Sequence, residues 1–153
     1  CALPIFGGRE VLETPMIRGI LRMAKAIHSM IRVLESERSL DFYKKAFSLV
    51  VADIFDFESF TLIYLSNKET EFELELTVNK GHEGSYELGN GYAHIAFSVG
   101  DIEAEHERLS SLGFAPGDVK SLAHEGKKLA TFFFLEDPDG YKIEILQRDG
   151  RYL

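Results

Sequence analysis

The chain has 153 residues, 45% of them apolar and 27% charged, and no apolar run approaches the length of a membrane span. Its formal charge is −8 and its pI about 5.1, and it lacks the clustered Lys and Arg of a phosphate-binding face, which excludes a nucleic-acid surface. A single cysteine, Cys1, closes no disulfide within this chain and suits a reducing compartment, so one soluble cytoplasmic domain is expected.

Residues 1–22, CALPIFGGREVLETPMIRGILR, mix Pro, Gly and charges, with neither a secretory apolar region nor an Arg/Ser-rich amphipathic run. They are expected to be an extension or docking arm outside a core domain spanning 23–153. From there the pattern becomes regular. The segment KAIHSMIRVLE (25–35) reads as a strand. SERSLDFYKKAF (36–47) reads as a helix, with Leu40, Tyr43 and Phe47 at helical spacing behind a Ser N-cap. Three strands follow at 49–57, 60–66 and 71–78, the last in strict alternation as EFELELTV.

The same order then returns. GYAHIAFSV (91–99) predicts a strand, and DIEAEHERLSSL (101–112) a helix with Asp101 as N-cap and Gly113 at its stop. LATFFFLE (129–136) and YKIEILQ (141–147) are strands flanking the turn DPDG (137–140). Residues 114–128 are expected to hold one more strand and a mobile basic loop, HEGKK. The fold class is therefore α+β, two βαβββ modules at about 24–80 and 90–148 that form an open, eight-stranded, barrel-like sheet.

Special residues fall at equivalent places in this repeat. His28 and His94 lie in the first strands, 66 residues apart, and Glu75 and Glu144 in the last strands, 69 apart. A pseudo-twofold relation between the modules would gather a His2Glu2 set. On EFELELTV, Glu71, Glu73, Glu75 and Thr77 share the face opposite Phe72, Leu74, Leu76 and Val78; on YKIEILQ, Glu144 shares a face with Lys142 and Leu146. A carboxylate on a strand with both faces partly covered is costly unless it is paired or bound to metal. A lone strand His is more often a core or rim residue than a ligand, and one Glu among three alternating ones is usually solvated. Agreement in both modules favours ligation. His82, His106 and His124 lack such partners and read as surface residues.

The segments IHSMIRVLESERSLDFYKKAF, ELELTVNKG, YELGNGYAHIAFSV and EDPDGYKIEIL, from residue 27 to 147, resemble in order the glyoxalase I (lactoylglutathione lyase) family of the vicinal oxygen chelate superfamily. The resemblance implies that His28, Glu75, His94 and Glu144 are metal ligands, and that Arg32 and Asn79 hold the γ-glutamyl end of glutathione. Lys127 and Lys128 fall in the loop that covers the glycyl end in that family. A fork of donors on Arg32 suits a carboxylate, and Asn79 suits a peptide or carboxylate group near the metal. Some family members carry an Arg four residues before the second His, where this chain has Asn90.

The implied substrate is the hemithioacetal of methylglyoxal and glutathione, and the product is S-D-lactoylglutathione. The metal would stabilise the enediolate left by proton loss. Glu144 is then the base, loosened from the metal by substrate oxygens, and Glu75 could serve the opposite face. A first-ligand His in a compact chain resembles the nickel- or cobalt-activated type, with zinc the alternative. The resemblance further implies a homodimer with sites at the interface. The competing readings are another metal-dependent enzyme of the superfamily (an epimerase, dioxygenase or thiol transferase) and a metal-free binding protein. Known dioxygenases and thiol transferases of that superfamily use three protein ligands, and the binding proteins lack the quartet.

Overall fold

Strict alternation and short turns decide the architecture. The computed structural model describes residues 23–153; the arm expected at 1–22 lies outside them. The elements are β1 (His28–Arg32), α1 (Ser36–Phe47), β2 (Val50–Asp56), β3 (Phe60–Asn67), β4 (Thr70–Asn79), β5 (Ile95–Val99), α2 (Ile102–Ser111), β6 (Lys120–His124), β7 (Lys127–Glu136) and β8 (Lys142–Gln147), with a closing 3-10 turn at Gly150–Tyr152. This is the expected α+β fold of two βαβββ modules. Its eight strands divide into two four-stranded sheets, ordered β1-β4-β3-β2 and β5-β8-β7-β6. In each sheet the first strand runs parallel to the last, and the other pairs are antiparallel.

The apolar faces of both sheets and both helices close on one core. Tyr43, Leu65, Leu76, Leu109, Phe133, Ile143 and Ile145 are fully buried in it. Phe47 of α1 stacks on Phe97 of β5 with ring centroids 4.3 Å apart, so the modules share side chains across their boundary.

Module two also clasps α1 at both ends. The expected Ser36 N-cap is a correction: Glu35 occupies the N-cap without a side-chain bond, and Ser36 is already helical. The carboxylate comes instead from the DPDG turn. Asp139 accepts from the Leu34 backbone N–H at 3.1 Å, from Arg38 at 3.1 Å and from the Ser39 hydroxyl at 3.3 Å, a negative charge beside the positive end of the helix. At the other end Arg108 of α2 donates to the carbonyls of Lys45 and Ala46. Asp101 caps α2 as expected, accepting from Ala104 N–H at 3.0 Å.

Deeper in the same seam the buried Tyr43 hydroxyl donates to Asp137 at 2.8 Å, and Asp137 also accepts from the N–H groups of Asp139 and Tyr141. Burial raises the Asp137 carboxyl above its ordinary value and holds the Tyr43 hydroxyl well above its own. Tyr43→Phe leaves a buried carboxylate oxygen without its donor, which costs about 1–3 kcal/mol. Urea unfolding is expected to show a lower midpoint at unchanged slope; an unchanged midpoint would remove this bond from the account.

Two further expectations need correction. The HEGKK segment is a tight β-hairpin rather than a mobile loop: Glu125 and Gly126 take φ of 50° and 76° between the paired residues His124 and Lys127. Positive φ at both central residues is the turn that matches the right-handed twist of the flanking strands. The strand expected over 91–99 is confined to Ile95–Val99, so His94 lies one residue before β5, and it is exposed.

Candidate metal centre

Register places the four expected ligands in two equivalent pairs. In the first sheet Met30 lies opposite Glu75, and His28 stands two residues before Met30. In the second, Ala96 lies opposite Glu144, and His94 stands two residues before Ala96. Strand alternation puts each His on the same side as its Glu. The His28 Nε2 is 3.3 Å from a Glu75 oxygen, and the His94 Nε2 is 3.1 Å from a Glu144 oxygen. The two donors of a metal ion at about 2.1 Å each, set at a right angle, stand about 3.0 Å apart. Each pair therefore has the spacing of two adjacent ligands, and imidazole with carboxylate suits a borderline divalent ion.

The pairs remain separate. Among the described residues no three His, Cys, Asp or Glu side chains come together in one cluster. Each sheet thus presents one His–Glu pair, half of the expected quartet. The Glu75 and Glu144 side chains are 10% and 17% exposed while those of His28 and His94 are 37% and 34% exposed, so the carboxylates sit under open imidazoles.

The surroundings of the two carboxylates differ. Thr77 donates to the second oxygen of Glu75 at 3.3 Å. Tyr64 lies opposite Glu75 in the β3–β4 register, and hydrogen bonding to that carboxylate raises the Tyr64 hydroxyl above its ordinary value. The Tyr64 ring also meets His28 edge-on at 5.9 Å. In module two Phe134 lies opposite Glu144 and meets His94 edge-on at 5.5 Å. Tyr64, Thr77 and Phe134 were not singled out from sequence. Alternation in FTLIYLS puts Tyr64 on a definite face, but only the register names its partner.

Arg32 is the last residue of β1, exposed, on the same face as His28; its backbone N–H donates to the Tyr141 hydroxyl at 3.3 Å. Asn79 ends β4 on the Glu75 face, and its amide donates to Tyr86 at 3.1 Å. Lys127 and Lys128 begin β7, both exposed, and Lys128 pairs with Asp149 at 3.2 Å. No contact among the described residues joins either lysine to the His and Glu pairs. His82 and His124 are exposed as expected, the former stacked on Tyr86. His106 is half-buried, its ring against Phe133 and its Nε2 3.0 Å from the Gly117 carbonyl, which corrects the surface reading and makes it a packing residue.

Two concavities bear on the site. A cleft of about 440 Å³ adjoins His94, lined by Asn90, Tyr92, Phe134 and Tyr141 among others. A larger groove of about 870 Å³ runs between Phe47, Phe97, Arg108 and Arg148, and none of the four candidate ligands lines it. Of the two, the smaller is the one lined by a candidate ligand, His94.

The family model described as the Glyoxalase/Bleomycin resistance protein/Dioxygenase superfamily matches residues 25–145. The chain is 40% identical over 129 residues to the lactoylglutathione lyase of Neisseria meningitidis serogroup A, covering 81% of this chain and 91% of that protein. It is 38% identical over 133 residues to a probable lactoylglutathione lyase of Synechocystis, covering 82% and 96%. Among solved structures it resembles the trypanothione-dependent glyoxalase I of Leishmania major at 29% identity and a TM-score of 0.63, over 82% of this chain and 87% of that one.

Proposed function

The chain belongs to the Glyoxalase/Bleomycin resistance protein/Dioxygenase superfamily, and on that premise we propose that it is a lyase, a metal-dependent glyoxalase I that converts the methylglyoxal–glutathione hemithioacetal into S-D-lactoylglutathione. The observation that carries this reading is the pair of His–Glu half-sites at repeat-equivalent positions, His28 with Glu75 and His94 with Glu144, each spaced as adjacent ligands. Relatives named lactoylglutathione lyase support the same activity.

One chain offers two donors in each half, so a four-ligand site takes its other half from a second copy. The β1–β4 face of one protomer then meets the β5–β8 face of its partner, and a homodimer carries two such sites. Apolar residues left uncovered on β2, Val50, Val51, Ile54 and Phe55, support a partner surface. Among the described residues no helix is long and apolar enough to cross a membrane, and we assign the protein to the cytoplasm.

When bound, a divalent ion supplies Lewis-acid stabilisation of the negative charge that develops on the two adjacent substrate oxygens. Nickel or cobalt is the preferred ion, with zinc the alternative. The protein supplies the rest. Glu144 takes the proton from one carbon and returns it to the next, and its low exposure keeps bulk water from competing for that proton. Glu75 serves as a ligand that faces the opposite side of the substrate. Arg32 and Asn79, on the same strand faces as His28 and Glu75, hold the γ-glutamyl carboxylate, and Lys127 and Lys128 meet the glycyl end.

The test follows absorbance at the thioester band during incubation of methylglyoxal and glutathione with metal-stripped protein, alone and after addition of Ni2+, Co2+ or Zn2+. Formation of S-D-lactoylglutathione only with added metal is the expected result. Metal binding with no product under any of the three ions would overturn the substrate assignment and point to a sister reaction of the superfamily.

A further inference from the structure

Between β4 and β5 the chain passes through the segment YELG, residues 86–89, to which the metal centre assigns no role. Gly81 and Gly84 take φ of 78° and 83°, which lets the backbone double back, and the His82 backbone N–H donates to the Asn79 carbonyl at 3.3 Å. The reversal returns Tyr86 to the end of β4. Its ring stacks on His82 with centroids 4.1 Å apart and planes within 3° of parallel, and its hydroxyl accepts from the Asn79 amide at 3.1 Å. The Tyr86 side chain is half-buried and held from two sides.

The place of this hydroxyl follows from its partner. Asn79 lies on the Glu75 face of β4, two positions beyond Thr77, and Thr77 stands opposite Arg32, which shares that face on β1. Diagonal neighbours of this kind are within reach of a long side chain. A group 3.1 Å from the Asn79 amide therefore stands on the site face, at the end of the sheet where Arg32 closes β1.

Donor accounting gives the hydroxyl a role. A phenol donates one proton and accepts on its lone pairs. Here a lone pair takes one Asn79 amide proton, while among the described residues the Tyr86 proton has no acceptor and the Arg32 guanidinium pairs with no carboxylate. Accepting one hydrogen bond polarises a hydroxyl to donate the next more strongly. Arg32, the second amide proton of Asn79 and the Tyr86 hydroxyl thus offer donors on one face, and a carboxylate has the acceptor sites to take all three.

We propose that Tyr86 is a further substrate-binding residue, whose hydroxyl, set by Asn79 and by the stack on His82, donates to the γ-glutamyl carboxylate beside Arg32. This rests on the glyoxalase function proposed above. It extends the carboxylate-binding group from strand ends to a loop of the same chain.

Tyr86→Phe removes the donor and keeps the ring on His82. The test measures the affinity of the metal-loaded full chain for S-methylglutathione by calorimetry, beside kcat and KM for the hemithioacetal and the thermal midpoint. S-Methylglutathione binding is expected to weaken about tenfold or more in Tyr86→Phe, the loss of one hydrogen bond to a charged group. KM is expected to rise in proportion while kcat stays within about twofold, because the contact is made equally in the ground and transition states. His82→Ala keeps the donor but removes its support, and a smaller loss in the same direction is expected. A packing role for Tyr86 does not predict that split. Unchanged S-methylglutathione affinity in Tyr86→Phe, or a loss matched by a fall in kcat or in the thermal midpoint, would overturn the assignment, and product formation by the wild type would leave the glyoxalase reading intact. A wild type that neither binds S-methylglutathione nor forms product would overturn both.

Discussion

Glu144→Gln is expected to lower kcat by about a hundred- to ten-thousand-fold while the protein keeps its fold, the range over which a positioned general base contributes. The substitution is nearly isosteric, and the side chain it replaces is only 17% exposed beside His94, so packing changes little. An amide still fills the space but does not accept the proton of a weakly acidic C–H. Thermal unfolding near the wild-type midpoint would confirm that the loss is chemical. A Glu144→Gln protein with near wild-type kcat would remove Glu144 from the role of base, whatever its place at the metal.

The two His–Glu pairs were legible in sequence because a duplicated module repeats residues at nearly constant spacing, and the structure does bring His28 to Glu75 and His94 to Glu144. Offsets of 66 for the histidines and 69 for the glutamates pick His28, Glu75, His94 and Glu144 from a chain with 5 His and 25 acidic residues. What sequence did not convey depends on contacts distant in the chain. The α1 N-terminus is served by Asp139, about a hundred residues away, so a local rule chose Ser36 instead. Cross-strand register sets Tyr64 against Glu75, and register is a property of the assembled sheet rather than of FTLIYLS. The HEGKK hairpin was missed because Glu125 takes a positive φ that non-glycine residues seldom adopt. Charge in that segment suggested mobility; the turn geometry sets it between two paired strands.

The separation of the two half-sites has the largest consequence. If the complete centre takes His28 and Glu75 from one copy and His94 and Glu144 from another, damage to either half alone destroys every site of a homodimer. His28→Ala/Glu75→Ala and His94→Ala/Glu144→Ala are each expected to reduce hemithioacetal turnover to background, because each leaves only two donors per site. A mixed dimer of the two variants behaves differently. One of its sites unites both damaged halves, and the other unites both intact halves. With random pairing, half of the dimers are mixed and each has one complete site, so the mixture should recover about a quarter of wild-type activity.

Co-expression of the two variants under different affinity tags, purification of the doubly tagged dimer, and assay of S-D-lactoylglutathione formation after metal addition is therefore the measurement of choice. The purified mixed dimer is expected to turn over at about half the wild-type rate, with one tightly bound metal ion at its intact site. An inactive mixed dimer, or a doubly tagged species that never forms, would contradict a metal centre shared between two copies of this chain.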